Sequence, residues 1–284
     1  MRQSIAHPAG AGDGRPVAVV TGASEGFGRE LASRIARDGY DLVIVARNRA
    51  RLAELAAQLE GEHGAGVEVQ SFDLTRPGQQ LALAELVRAQ PNLKLLVNNA
   101  AFSVVGEFAA LATEKLQQMA SLNFTAVCVL SQAALQNADF CRGGTVLNVG
   151  SIGGTYPMPL DATYSATKAA LDIFSKALAY EVAHDHTRDV KVQVAKLGGL
   201  NTAWNDRTMG PMREGAQPDR RMEAVRNEPA AAADAIWRQC KARKRSILYD
   251  CRRVRVQQAV FSLLPRLGSR LVYTFYSEEC RRRG

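Results

Sequence analysis

Long apolar runs are missing from this 284-residue chain. The longest charge-free stretch near its C-terminus, VQQAVFSLLP at 256–265, is half of the roughly 20 residues that a membrane-spanning helix needs. Paired cysteines are missing as well. Cys128, Cys141, Cys240, Cys251 and Cys280 are odd in number, far apart and without a CxxC pair. That spacing argues against a disulfide framework or a zinc site and fits the reduced thiols of a cytoplasmic protein. Histidine is scarce: His184 and His186 flank Asp185 without a further ligand cluster, so no metal is expected. The opening MRQSIAHPAGAGDGRP lacks the apolar core of a secretory signal and reads as a flexible tail over 1–15. Evenly spread positive charge is also absent. The formal net charge is +8, yet 13 Lys/Arg against 3 Asp/Glu fall between Arg238 and the end. The rest is slightly acidic, which excludes a uniformly basic nucleic-acid binder.

What is present is alternation. Val17–Val20 make an apolar run that breaks into glycines, as a strand buried on both faces does on entering a tight turn. Leu31, Ile35 and Ala36 form a helical stripe stopped by Gly39, and Leu42–Val45 is the next strand. Helices are expected around 49–60, over QQLALAELVRAQ and around 113–136, with strands at VEVQSFD, NLKLLVNNA, GTVLNVGS and VKVQVAKLG. Strands alternating with helices of 10–15 residues predict an α/β fold, one doubly wound parallel sheet with helices on both faces, over 16–250.

TGASEGFG at 21–28 sits where the first strand meets the first helix. Gly22 allows the turn, Gly26 lets a pyrophosphate approach the backbone, and Gly28 lets helix and strand pack closely. The exposed amides, with Ser24 and Phe27 among them, and the positive end of the helix dipole favour an anion. The loop therefore reads as a dinucleotide site. An NAD site normally carries an acid at the end of the second strand; here the strand ends VIVARN, with Arg47 and no carboxylate. A guanidinium suits a 2′-phosphate, while a solvated surface arginine is the bland alternative. Loss of the acid and gain of the base favour NADP(H) over NAD(H).

From Val17 to about Leu248 the chain resembles the short-chain dehydrogenase/reductase family, whose motifs occur here in order. TGASEGFG is similar to the TGxxxGxG loop, and FDL at 72–74 to the turn whose Asp73 and Leu74 would meet the adenine. NNAA at 98–101 is similar to the NNAG motif, with Asn99 and Ala100 lining the cofactor. Asn123 in SLNFTA, Ser151 in NVGSIGG, and Tyr164 and Lys168 in YSATK complete a tetrad. KLGGLNT at 196–202 stands where PGxxxT is expected, with Leu197 in the proline's place and Leu200 and Thr202 as cofactor contacts. The resemblance implies a Rossmann fold, self-association into dimers or tetramers, and interconversion of a carbonyl and an alcohol.

In that chemistry a Lys168 ammonium one turn from Tyr164 acidifies the phenol. The phenol donates a proton to the carbonyl oxygen as NADPH delivers hydride. Ser151 steadies the oxygen, and Asn123 anchors a water that relays protons from Lys168. A non-catalytic NADP(H)-binding regulator, or the same fold catalysing epimerisation or double-bond reduction, are the alternatives. Residues 203–228, with Gly210, Pro211 and Pro218, suit a lid. The basic, amphipathic extension 251–284 has three readings: a helix packed on the domain or across an oligomer interface, attachment to an anionic membrane surface, or a disordered end.

Overall fold

The structure, a computed structural model, describes residues 14–203, 208, 227–244 and 246–281. The expected tail, save residues 14 and 15, and the expected lid, save Ala203, Thr208, Asn227 and Glu228, lie outside the described residues.

Seven parallel strands form one sheet: β1 (Val17–Thr21), β2 (Asp41–Ala46), β3 (Val67–Ser71), β4 (Leu93–Asn98), β5 (Arg142–Ser151), β6 (Asp189–Leu197) and β7 (Ile247–Tyr249), in the order β3-β2-β1-β4-β5-β6-β7. Alternate residues of each central strand enter opposite cores, as a period of two dictates. Ala18, Val20, Leu42, Ile44, Leu95 and Val97 face one core. It is closed by α1 (Gly26–Arg37), α2 (Arg49–His63) and α7 (Pro229–Ala242). Val19, Val43, Val45, Leu93 and Leu96 face the other, closed by α3 (Pro77–Ala89), α5 (Ala126–Leu135) and α6 (Ala162–His184). The near-continuous apolar runs of the strands follow from burial on both faces. The seventh strand and α7 were not read from the sequence.

β1 pairs with β2 on one side and β4 on the other. The chain leaves these neighbours in opposite directions, so a crevice opens beyond their carboxyl ends. Thr21 and Asn99 tie its floor together. Thr21 Oγ1 donates to Val97 O at 3.1 Å and accepts from the Asn99 and Ala100 amides at 2.9 and 3.1 Å.

The helix expected around 113–136 is present over 113–135 and widens in its middle. It is α4 (Thr113–Ala120) followed by a wide i→i+5 turn, Ser121–Thr125, before α5. Such a turn carries one extra residue, and here it swings Asn123 into the interior.

The C-terminal segment forms α8 (Arg252–Leu263) and α9 (Pro265–Arg281), separated by Leu264. Pro265 opens α9, where its missing N–H costs nothing. The pair packs on the domain through Val254, Phe261 and Val272 against Ile152 and Tyr156. A Cβ at Gly268 would lie 3.1 Å from the rings of Tyr156 and Phe261, so glycine lets α9 come this close without displacing either ring. Of the three readings of the extension, packing on the domain is the one seen for these helices.

Candidate active site

A cleft of about 2180 Å³ opens above the carboxyl ends of the strands. Gly22, Ser24, Gly26, Phe27 and Gly28 line it from the loop after β1, and Arg47 from the end of β2. Asp73, Leu74, Asn99 and Ala100 line it after β3 and β4, and Leu200 and Thr202 after β6. Ser151, Tyr164 and Lys168 form its deep end. Asn123 alone of the expected residues stands behind the wall.

Gly22 has φ +68, and a Cβ there would strike Asn99 Nδ2 at 2.7 Å. Asn99 Nδ2 donates to Thr21 O and Gly22 O at 2.9 and 3.0 Å, which fixes the loop. Glu25, the acid inside the loop, is paired with Arg51 of α2 at 2.6 Å. Arg51 was not singled out in the sequence. It neutralises the carboxylate beside the phosphate site, and with exposed Arg47 it makes that end of the cleft basic. Burial alone would raise the Asp73 pKa, but hydrogen bonds from Thr75 and the charges of Arg47 and Arg76 hold it below its ordinary value. The Asp73 carboxylate therefore stays ionised in the cleft wall.

At the deep end, Tyr164 and Ser151 share a side-chain hydrogen bond. Ser151 Oγ also accepts from Gly153 N at 3.0 Å, which sets its orientation at the end of β5. Lys168, almost wholly buried, donates to Val149 O at 2.8 Å, and its Nζ stands 5.7 Å from the centre of the Tyr164 ring. Desolvation first, and then the charge of Lys196, push the Lys168 pKa down to about 8. Lys196 is fully buried on β6 and pairs with Asp172 of α6 at 2.9 Å.

The expected acidification of the phenol is not what this arrangement gives. Burial raises the Tyr164 pKa, the Ser151 hydrogen bond lowers it, and the charges of Asp161 and Tyr156 raise it further. The net direction is upward because desolvation of the buried phenol outweighs the Ser151 hydrogen bond, while the Lys168 ammonium donates to Val149 O. Lys168 and Tyr164 do share a face, as their spacing requires.

Asn123 is committed elsewhere. Its Oδ1 accepts from Phe102 N at 3.1 Å, and its Nδ2 donates to Phe102 O at 2.9 Å and Thr167 Oγ1 at 3.2 Å. The amide thus fixes the segment after β4 against α6.

The loop after β6 lacks the family's proline at Leu197, and other groups hold it. Gly198 N donates to buried Asp250 Oδ2 at 3.0 Å, and Asn227 Nδ2 donates to the same oxygen at 3.0 Å. Leu200 bridges Asn227, and the Thr202 methyl lies over Gly26.

Part of the outer wall was legible in IGGTYPMPLDA at 152–162, which reads as a substrate-facing segment whose Met158, Pro159 and Leu160 suit an apolar ligand or merely pack the loop; the part from α8 and α9 was not. Tyr156 and Met158 line it from the loop after β5, and Val256, Val260 and Leu271 from α8 and α9. Arg252 and Arg253 stand on the same wall. Among the described residues, no group of three or more His, Cys, Asp or Glu is placed to hold a metal ion.

The family model for short chain dehydrogenases matches residues 16–210. A very-long-chain 3-oxoacyl-CoA reductase from Laccaria bicolor is 35% identical over 173 residues, covering 60% of this chain and 51% of that protein. The Eremothecium gossypii protein of the same name is 36% identical over 190 residues, covering 63% and 53%. The chain spans about half the length of these curated relatives. Among solved structures, a short-chain dehydrogenase from Sphingobium yanoikuyae in complex with NADPH is 30% identical, with a TM-score of 0.76 over 89% of this chain and 94% of that one. A bulky-bulky ketone specific alcohol dehydrogenase from Comamonas testosteroni is 26% identical, with a TM-score of 0.71 over 89% and 94%.

Proposed function

The chain belongs to the short-chain dehydrogenase family, and from that premise we propose that it is an NADP(H)-dependent oxidoreductase interconverting a carbonyl and an alcohol on an apolar substrate. One observation carries the reading: Tyr164 and Ser151 are hydrogen-bonded at the deep end of the cleft with buried Lys168 one turn away.

The residues at the other end fit a dinucleotide. The amides of the loop after β1 face the cleft at the N-terminus of α1, where a pyrophosphate is favoured. Arg47, with Glu25 neutralised by Arg51, suits a 2′-phosphate. When bound, the coenzyme supplies or accepts hydride. This chain's residues do the rest: Ser151 holds the substrate oxygen, Tyr164 passes a proton to or from it, and Lys168 supplies positive charge beneath them.

The wall built by Tyr156, Met158, Val256, Val260 and Leu271 supports an extended apolar substrate, and Arg252 and Arg253 suit an anionic head group. This agrees with relatives named for 3-oxoacyl-CoA reduction. Tyr164→Phe should abolish NADPH-dependent reduction of a long-chain 3-oxoacyl thioester while NADPH binding survives. Undiminished turnover would refute the assignment.

The outer face of α8 and α9 exposes Leu263, Leu264 and Leu267. Residues 252–277 carry Arg252, Arg253, Arg255, Arg266 and Arg270 and no acid. Apolar residues flanked by arginine suit the surface of an anionic bilayer, and we read this face as a peripheral attachment that brings a lipidic substrate to the cleft. Sedimentation with phosphatidylserine vesicles, lost in Leu263→Asp, tests it. A dimer that dissociates on the same substitution would make the face a self-association surface instead.

A further inference from the structure

Tyr156 carries a hydroxyl that its packing does not need. The residue lies in the loop between β5 and α6 and is 8% exposed. Its ring meets that of Phe261 of α8 edge to face, with centroids 4.7 Å apart. Ile152 and Val254 complete the cluster, and Gly268 of α9 comes up against Cγ and Cδ2, the main-chain end of the ring. A phenylalanine would satisfy every one of these contacts. A buried tyrosine hydroxyl ordinarily finds a hydrogen-bond partner, because an unpaired one loses solvation without return. Among the described residues the Tyr156 hydroxyl has none, and the residue lines the cleft.

A short link fixes its place relative to the reacting end. Ser151 ends β5, and one tight turn, Ile152–Gly154, leads on to Tyr156. Both ends of that turn are closed: Ser151 Oγ accepts from Gly153 N at 3.0 Å, and Thr155 N donates to Ile152 O at 2.9 Å. The Tyr156 ring then packs back on Ile152, the neighbour of Ser151. Ser103 and Ser151 also line the cleft, and their hydroxyls are spent. Ser103 Oγ donates to Asp161 Oδ1 at the foot of α6, and Ser151 shares its bond with Tyr164. Burial pushes the Tyr156 phenol above its ordinary pKa, so it remains a donor through the neutral range.

We propose that Tyr156 is a specificity-determining residue: its hydroxyl donates a hydrogen bond to a second oxygen of the substrate while Ser151 and Tyr164 hold the reacting carbonyl. The substrate class narrows to carbonyl compounds with a second acceptor close to the first, the 1,3-dicarbonyl pattern of a 3-oxoacyl thioester. This rests on carbonyl reduction at Tyr164, and it goes further by giving a residue outside the tetrad the choice among carbonyl substrates.

The test removes the bond from each side in turn. One probe is a long-chain 3-oxoacyl thioester of N-acetylcysteamine. The other is its thioether analogue, in which CH2 replaces the thioester C=O. Tyr156→Phe keeps the ring and deletes the donor. The ratio of kcat/KM for the thioester to that for the thioether should fall about tenfold, the scale of one hydrogen bond. The ratio measures the coupling of two deletions, so looser packing of α8 or α9 that weakens both probes alike does not move it. An unchanged ratio overturns the proposal, and a weaker NADPH dissociation constant alongside it would give the hydroxyl to the coenzyme. If the phenylalanine variant does not fold, Tyr156→Leu, which also lacks the hydroxyl, is read in the same way. A wild-type chain that reduces neither probe defeats the underlying carbonyl reduction instead, so the two failures are distinguishable.

Discussion

The Lys168 ammonium donates a 2.8 Å hydrogen bond to the main-chain carbonyl of Val149. That bond holds the charge beneath the end of β5, beside the Tyr164 ring and away from solvent. Desolvation and the neighbouring Lys196 then bring the Lys168 pKa to about 8. For a base whose pKa is depressed, the charged form is lost as pH rises through that value. The rate of carbonyl reduction should therefore fall above about pH 8. Lys168→Arg, which does not deprotonate in a protein, should move the falling limb to higher pH. Lys168→Met should lower kcat/KM by about two to three orders of magnitude throughout. A pH–rate profile checks all three, and a wild-type rate that stays level well into the alkaline range would contradict the first.

Arg51 holds Glu25 at 2.6 Å, so the loop acid does not repel a 2′-phosphate. Arg51→Ala should weaken NADPH binding about tenfold more than NADH binding, because the freed carboxylate then faces the phosphate. Arg47→Asp should shift preference toward NADH more strongly still. Dissociation constants for both coenzymes, measured by fluorescence, decide the matter; an unchanged ratio would remove Arg47 from the phosphate site.

Asp250 Oδ2 accepts from both Gly198 N and Asn227 Nδ2, and it substitutes for the rigidity a proline at Leu197 would give. Asp250→Ala leaves the half-buried Gly198 amide without this partner and Asn227 Nδ2 with Cys251 Sγ at 3.2 Å, which costs about 1 kcal/mol. The expected result is a lower Tm and a raised KM for the coenzyme. Leu197→Pro in the same background should recover part of the loss, as thermal unfolding will show.

Gly268 lets α9 rest against Tyr156 and Phe261. Gly268→Val should lever α9 away from the cleft, raising KM for long-chain substrates at least about tenfold while leaving NADPH affinity unchanged. Steady-state kinetics across a chain-length series provides the check, and equal effects on short and long substrates would mean that the wall does not bind the chain.

Much of this site was legible because its motifs are local. The loop Gly22–Gly28 was readable because a strand, three glycines and a helix follow each other directly. Tyr164 and Lys168 were readable because one helical turn joins them. Leu197 was recognised as a departure, yet what replaces its proline comes from Asp250, 52 residues away from Gly198. Asp161 and Ser103 are 58 residues apart, and no periodicity links them. A carboxyl within the apolar stretch PMPLDATY was the one signal that could have drawn attention to Asp161.

The sequence by itself determined the order of the first six strands and the helices between them, the place of the phosphate loop and the residue types at the reacting end. These follow from side-chain period, turn chemistry and short spacings, all of which act along the chain. Only the tertiary structure decided which way the Tyr164 pKa moves, where the Asn123 amide is spent and that α8 and α9 wall the cleft. Each depends on desolvation and on neighbours brought from distant positions, and those free energies exist only once the sheet has closed its two cores.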